Sequence, residues 1–364
     1  MVLVSVDDYE QEAAKIIPKS AYDYYKSGAG NELSLNLNKK CYDKIRIRPK
    51  FLVDVSKRDM SCEIFGEHFS APIGISPTAM QKMAHSEGEC ANARAAGQHK
   101  IPFILSTIAT SSIEEVAQAA PNTVKWFQLY IYKDRSLTES LVHRAESANF
   151  KAIVLTVDAP VFGLRRADKR NAFTMPPHLK LANFVGEKSD FKSNEGVSGI
   201  NTYVASQFDA SLTWKDVKWL LSFTKLPVIV KGILTKEDAV IAVNLGVKGI
   251  IVSNHGARQI DSVPASIEAL PEIVQAVGDR VTIMIDGGVT QGTDIFKAIA
   301  LGAKMVFIGR NALWGLAVNG QKGVEHIIEI LKNELDLAMT LAGTPTLKDI
   351  NKEFVIHESY YSKL

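Results

Sequence analysis

Four short apolar runs between residues 228 and 310 each end on groups that can do chemistry. Val228-Ile229-Val230 stops at Lys231-Gly232, and Ile250-Ile251-Val252 stops at Ser253-Asn254-His255-Gly256. Ile283-Met284-Ile285 stops at Asp286-Gly287-Gly288, and Val306-Phe307-Ile308 stops at Gly309-Arg310. A histidine that acts as a general base needs a carboxylate to orient it, and an anionic substrate needs a guanidinium beside that base. His255 has Arg258 three residues on, while Asp158 and Arg165 follow another apolar run. These residues read as a base with a carboxylate clamp, Arg165 being the second arm. Lys231 closes a buried run, where an ammonium is costly without an anion. It reads either as a Schiff-base nucleophile or as a cation that stabilises a negatively charged cofactor. The glycines after the last two runs suit a phosphate held by backbone N–H groups, and Arg310 adds a guanidinium fork. No two-histidine metal spacing is present, so no metal site is expected.

The elements that must position these groups follow from periodicity. β-branched runs buried on both faces read as parallel strands, and the amphipathic stretches between them as helices. Strands are predicted at Ile73–Ser76, Phe103–Leu105, Trp126–Leu129, Ile153–Val157, Val228–Val230, Ile250–Val252, Ile283–Ile285 and Val306–Ile308. Helical patterns separate most of them, among them Ile113–Ala120, Leu137–Ala148 and Lys236–Leu245. Eight alternations predict an α/β fold, a (β/α)8 TIM barrel, whose reactive groups gather at the carboxyl ends of the strands. The chain reads as a single domain over 1–364, with a helical lead-in over 1–70, the barrel over 71–345 and a tail over 346–364. Val6 to Ser27 reads as a helix stopped by Gly28-Ala29-Gly30. From Val161 to Leu212 periodicity fails, and Val185 to Asn201 is rich in Gly, Ser, Asn and charge. A long loop after strand four is therefore expected, emerging at the same rim. The first four strands add Pro77-Thr78-Ala79, Ser106, Gln128 with Tyr130, and Thr156 to that rim.

Bulk properties narrow the function classes. A net charge of +2 over 364 residues argues for neither nucleic acid nor a membrane surface. Cys41, Cys62 and Cys90 have no metal-ligand spacing and cannot all pair, which suits a reducing compartment. No stretch approaches a membrane span, and the first ten residues lack a secretory signal pattern. The chain ends in Ser362-Lys363-Leu364, which reads as a peroxisomal address and implies an import receptor as partner.

The residues also carry a resemblance. Tyr22-Asp23-Tyr24-Tyr25 with Ser27-Gly28-Ala29, Pro77-Thr78-Ala79-Met80, Gln128-Leu129-Tyr130, Thr156-Val157-Asp158 and Lys231-Gly232-Ile233 resemble FMN-dependent 2-hydroxy acid oxidases, the glycolate oxidase family. The most specific motif is Ser253-Asn254-His255-Gly256-Ala257-Arg258-Gln259, followed by Asp286-Gly287-Gly288. The resemblance runs through essentially the whole chain. It implies His255 as catalytic base and Asp158 as the group stabilising its imidazolium. Arg258, Arg165 and Tyr24 would bind the substrate carboxylate, and Tyr130 would lie near its hydroxyl. Lys231 would face the flavin edge where charge accumulates on reduction. Ser106, Gln128, Thr156 and the backbone at Thr78-Ala79 would hold the flavin ring, and Ser253 would line the cofactor site. Asp286, Gly288, Gly309 and Arg310 would hold the ribityl chain and phosphate. The implied reaction takes a 2-hydroxy acid and O2 to a 2-oxo acid and H2O2, in a homo-oligomer, expected to be a tetramer. A dehydrogenase of the same family with another electron acceptor is the alternative within it, and a Schiff-base phosphate-binding lyase the alternative outside it. Three positions depart from the family pattern. Ile108 stands where many relatives carry tryptophan, Leu164 where a polar residue is common, and Thr290 where an arginine is usual. They predict a wider substrate pocket, altered contacts before the clamp arginine and weaker FMN binding.

Overall fold

The apolar runs become the staves of a closed, all-parallel barrel in the structure, a computed structural model that describes residues 2–184, 199, 203 and 206–363. The stretch Val185 to Asn201, apart from Gly199, lies outside the described residues, as does Leu364 of the terminal tripeptide. The barrel strands are β1 (Ile73–Ile75), β2 (Phe103–Ser106), β3 (Lys125–Leu129), β4 (Ala152–Thr156), β5 (Val228–Ile233), β6 (Gly249–Val252), β7 (Thr282–Asp286) and β8 (Met305–Ile308). Each pairs in parallel with its sequence neighbours, and β8 closes the ring on β1. Nearly every strand residue is buried, as expected for strands with side chains inside the barrel on one face and helices on the other.

Register decides what meets at the rim. Ser106 pairs with Gln128 across β2 and β3, and Thr156 with Lys231 across β4 and β5. β5 shifts register between Lys231 and Ile233. This bulge re-aims the strand end, as bulges beside active sites commonly do.

The barrel interior is a packed core of side chains that includes Ile104, Trp126, Val154, Ile229, Ile251, Met284 and Phe307. A hairpin formed by Cys62–Ile64 and Glu67–Phe69 closes its amino-terminal end, with Phe65 5.7 Å from Trp126 between ring centroids. Removing a ring such as Trp126 would cost about 3–5 kcal/mol through lost burial and a cavity.

The lead-in is not one long helix followed by irregular chain. Pro18 divides the stretch Val6 to Ser27 into helices Val6–Ile16 and Lys19–Lys26, because proline has no N–H and its ring clashes with the preceding turn. A third helix, Leu33–Asp43, lies against the rim, and strand Ile45–Ile47 pairs antiparallel with Val355–His357 near the carboxyl terminus. The long helix Arg310–Ala342 is broken at Asn319 and Gly320 and begins directly at the end of β8. No helix among the described residues is long and apolar enough to cross a membrane.

Candidate active site

His255 sits just beyond β6 in a tight turn where His255, Gly256 and Ala257 all have φ near +60°. Two of these are not glycine, a conformation that surrounding structure must hold. Asn254 holds it: its Oδ1 accepts from the Ala257 N–H at 3.0 Å and from Asn38 Nδ2 at 2.9 Å. Its Nδ2 donates to Asn38 Oδ1 at 2.7 Å and to the Pro264 carbonyl at 3.1 Å. The turn is thus bolted to helix Leu33–Asp43 by a reciprocal amide pair.

The turn places His255 Nδ1 2.8 Å from Asp158 Oδ1. This fixes the ring and puts the proton on Nδ1, leaving Nε2 as the base. Burial pushes the imidazole below its ordinary pKa, against the Asp158 carboxylate, which raises it; Lys231 and Arg165 lower it further. The base is therefore neutral at physiological pH. Burial raises the Asp158 carboxyl, but the charge and hydrogen bond of His255, helped by Lys231, outweigh it and hold the group ionised. Gly232 makes room for this pairing. Its φ of +111° belongs to glycine, and a Cβ there would stand 2.6 Å from Asp158 Cβ.

Two guanidiniums flank the base. Arg165 is only 2 % exposed, yet donates only weakly, to the Arg258 carbonyl at 3.3 Å and to Gln259 Oε1 at 3.4 Å. Burial and the neighbouring Arg258 charge push its pKa down to about 10, which leaves it charged at neutral pH. Arg258 donates to the carbonyls of Tyr24 at 2.6 Å and Ser27 at 2.8 Å, and lies 4.9 Å above the Tyr24 ring. Among the described residues neither guanidinium has a carboxylate within salt-bridge distance, and the buried Asp168 acts on both through its charge at longer range. With Arg165 buried and Arg258 half-buried, two like charges so placed favour an anion between them. Tyr24 is stacked on Phe173 at 4.4 Å, and burial next to Asp158 raises the Tyr130 phenol far enough to keep it neutral.

On the other side of the rim Lys231 Nζ donates to Ser253 Oγ at 2.9 Å and pairs with Asp286 Oδ2 at 3.1 Å. That carboxylate oxygen also accepts from Ser76 Oγ at 3.2 Å. Ser253 Oγ in turn accepts from the His255 N–H at 3.0 Å, so the lysine and the base share one support. A lysine anchored on both sides is better placed to present charge than to attack a carbonyl.

These groups line one cavity of about 480 Å³, a size typical of small-molecule sites. The site residues read from the sequence all face it except Asp158 and Ser253, which stand behind His255 and Lys231. Its polar wall contains unspent capacity: Gln128 Nε2 and Asp286 Oδ1 are buried without a hydrogen-bond partner among the described residues. Gln128 Oε1, by contrast, accepts from Ser106 Oγ and the Thr107 N–H, both at 3.2 Å. An orphan donor at one end and an orphan acceptor farther along fit a ring edge and a hydroxylated chain. Beyond Asp286, Gly288 has φ +81°, and a Cβ there would fall 1.9 Å from the Asn38 carbonyl oxygen. The backbone amides near Gly288 and the start of helix Arg310–Ala342 close this end, a place where N–H groups and the helix dipole favour an anion. These residues fit FMN.

The structure adds detail at that end. The Arg310 fork is largely committed, with Nε donating to the Tyr25 carbonyl at 2.8 Å and Nη2 to the Gly256 carbonyl at 3.0 Å. It fastens the lead-in to the His255 turn and contributes its charge, not a free fork. Thr290 N–H donates to Asp294 Oδ2 at 3.0 Å, so this residue helps cap the next helix, Gly292–Ala300. Asn311 Nδ2 donates to the Val289 carbonyl at 2.8 Å and ties the ends of β7 and β8 together.

Three supporting residues have no role assigned from the sequence: Phe162, Asn38 and Gln259, the last known only as the end of the His255 motif. Phe162 walls the cavity with Ile108, lies 4.6 Å beneath Arg165 and packs edge-on against Phe208. Gln259 Nε2 donates to the carbonyls of Asp158 at 2.8 Å and Val161 at 2.9 Å, pinning the start of the loop after β4. The only sequence signal for Gln259 was its place beside Arg258; Phe162 and Asn38 carried none.

The chain matches the sequence profile described as FMN-dependent dehydrogenase over residues 13–357. It is 50% identical to glycolate oxidase 1 of Zea mays over 357 residues, which is 98% of this chain and 96% of that one. It is 49% identical to 2-hydroxyacid oxidase 1 of Homo sapiens over 356 residues, 97% and 96% of the two chains. The crystal structure of mandelate oxidase with (S)-4-hydroxymandelic acid superposes with a TM-score of 0.92 at 39% identity, covering 95% of this chain and 97% of that one. The fold, the cavity and these likenesses converge: the chain belongs to the FMN-dependent dehydrogenase family, and its cofactor is FMN.

Proposed function

We propose that this cavity oxidises an (S)-2-hydroxy acid to the 2-oxo acid and that the electrons pass to O2, giving H2O2. The observation that carries the reading is the His255–Asp158 pair set beside two guanidiniums, one buried and one half-buried, that form no salt bridge to a carboxylate among the described residues. Arg165 and Arg258 bind the substrate carboxylate, with Tyr24 against it, and this holds the α-carbon and hydroxyl beside His255 Nε2. The imidazole accepts a proton from the substrate, either from the α-carbon or from the hydroxyl, and Asp158 stabilises the imidazolium. Tyr130, neutral throughout, donates to the hydroxyl oxygen. Bound FMN supplies the two-electron acceptor that the side chains lack. Lys231 presents its charge where negative charge develops, held in place by Ser253 and Asp286.

The glycolate oxidase and 2-hydroxyacid oxidase relatives favour an oxidase over a dehydrogenase with another acceptor. The wall made by Ile108 and Phe162 favours a substrate with a branched, long or aromatic side chain over glycolate. Import into peroxisomes through Ser362-Lys363-Leu364 suits a peroxide-releasing enzyme, and the family likeness supports a homotetramer. Anaerobic reduction of the purified flavoprotein by 2-hydroxy acids of increasing size, followed by O2, tests the reading. Bleaching by 2-hydroxy acids and rapid reoxidation with stoichiometric H2O2 is expected. Bleaching without reoxidation would favour the dehydrogenase, and no bleaching by any 2-hydroxy acid would overturn both.

A further inference from the structure

We propose that Glu89 is a positioning residue that sets two loops of the site at once, the one under the cofactor and the one that shapes the substrate pocket. The inference rests on the function proposed above. Glu89 is fully buried at the start of helix Gly88–Gln98 and pairs with no cation among the described residues. A buried carboxylate survives without a counter-ion only when hydrogen bonds and a helix N-terminus replace water. Glu89 Oε1 accepts from the Gln81 N–H at 3.0 Å and the Thr110 N–H at 2.9 Å. Thr110 Oγ1 lies 2.9 Å from both carboxylate oxygens, and Ser111 Oγ donates to Oε2 at 2.9 Å.

The donors belong to two different loops. Gln81 ends the loop after β1, and its Nε2 donates to the Thr78 carbonyl at 3.2 Å and to Thr78 Oγ1 at 3.0 Å. Asn92, one turn along the Glu89 helix, donates to Gln81 Oε1 at 3.0 Å. One arm of the network therefore ends on the Thr78-Ala79 wall of the cavity. Thr110 and Ser111 belong to the loop after β2, which carries Ile108 into the same cavity. The two loops also touch directly, since the Lys82 N–H donates to Thr110 Oγ1 at 3.0 Å. A neutral amide in place of Glu89 keeps one acceptor oxygen and loses the second along with the charge that strengthens all these bonds, so the carboxylate is what joins the arms.

Three variants separate the arms, each compared with wild type that has first been shown to bind FMN and reduce it with a 2-hydroxy acid. A wild type that fails this control would defeat the function proposed above before the variants are read. FMN affinity of the apoprotein is read by flavin fluorescence quenching, substrate kcat and KM by turnover, and folding by Tm. Gln81→Met should weaken FMN binding and leave KM unchanged, and Ser111→Ala should raise KM with FMN affinity within about twofold. Glu89→Gln should do both, weakening FMN about tenfold, the scale of one lost hydrogen bond to a charged group, and flattening the substrate chain-length profile. A Glu89→Gln protein with a lower Tm but unchanged FMN affinity and KM would reduce Glu89 to a structural role and overturn the proposal. If that variant does not fold, the other two decide. Failure of Gln81→Met and Ser111→Ala to split between cofactor affinity and KM would overturn it equally.

Discussion

At the His255 end of the cavity every reacting side chain is fixed by another group, whereas at the Gly288–Gly309 end the polar surface is mostly backbone. His255 has Asp158 below it and Ser253 beside it; Lys231 has Ser253 and Asp286. At the far end Nε and Nη2 of Arg310 go to carbonyls and Thr290 goes to Asp294, which leaves amides, a helix start and the Arg310 charge to meet an anion. Side-chain sites concentrate the energetics in a few replaceable atoms, while backbone sites spread it over groups that no substitution removes. Single mutations should therefore have large effects at the first end and small ones at the second.

The largest effect is expected for His255→Ala. Removing the base should lower kcat about 10⁴-fold, the upper range for general acid–base groups, while FMN stays bound, since the cofactor wall is untouched. Retained turnover in a flavin-loaded His255→Ala protein would remove the distinction between the two ends. Asp158→Asn should be next, at about 10²- to 10³-fold in kcat, and it makes a signed pH prediction. Reaction needs neutral imidazole, so kcat/KM for the free enzyme falls as pH drops through the His255 pKa, which lies below the ordinary 6.5. Asp158 opposes that lowering, so its neutralisation should move the acidic limb to still lower pH while the plateau falls. A limb that moves up, or does not move, in a full pH profile would show that Asp158 does not govern the charge of His255.

The contrast between the ends also explains what could be read from sequence. The strands were legible because a run such as Ile250-Ile251-Val252 declares its burial locally, and strand ends in this fold share one rim. His255, Lys231 and Asp286 were legible because each directly follows such a run. Their supports were not. Asn38 meets Asn254 from a helix more than two hundred residues away, and nothing local to either asparagine marks the pairing. Phe162 sits where periodicity fails, so an aromatic wall looked like loop. The hairpin that plugs the barrel is two strands of three residues each, too short for a pattern to register. The Pro18 break was visible, but the apolar spacing on either side ran through it.

At the backbone end, Thr290→Arg should tighten FMN binding by about twofold to fivefold, the range for one partly exposed charge pair. The gain should shrink in high salt and be absent for riboflavin, which lacks the phosphate. Asp294 accepts from Thr290 and lies within its reach, so it sets a ceiling on the gain by competing for the new guanidinium. Equal tightening of FMN and riboflavin would place the effect on the flavin ring and contradict an anion-binding role for this end.

The smallest change in rate is expected at Ile108, whose aliphatic side chain offers no hydrogen bond to the base or the clamp. Ile108 is 3 % exposed, so an indole at this position must extend into the cavity or displace its neighbours. The cavity is the softer direction, because overpacking a filled core costs about 1–3 kcal/mol. Ile108→Trp should therefore subtract side-chain volume from the substrate and leave the carboxylate and hydroxyl contacts alone. Turnover of the smallest 2-hydroxy acids should change by no more than about threefold, while KM for branched or aromatic ones rises about tenfold or more, as one or two lost methylene contacts allow. Phe162→Leu should partly restore the larger substrates in the double variant, since it removes ring volume from the same cavity. A chain-length profile that is unchanged by Ile108→Trp would show that the substrate side chain leaves the site by another path and that the loop after β2 does not shape it.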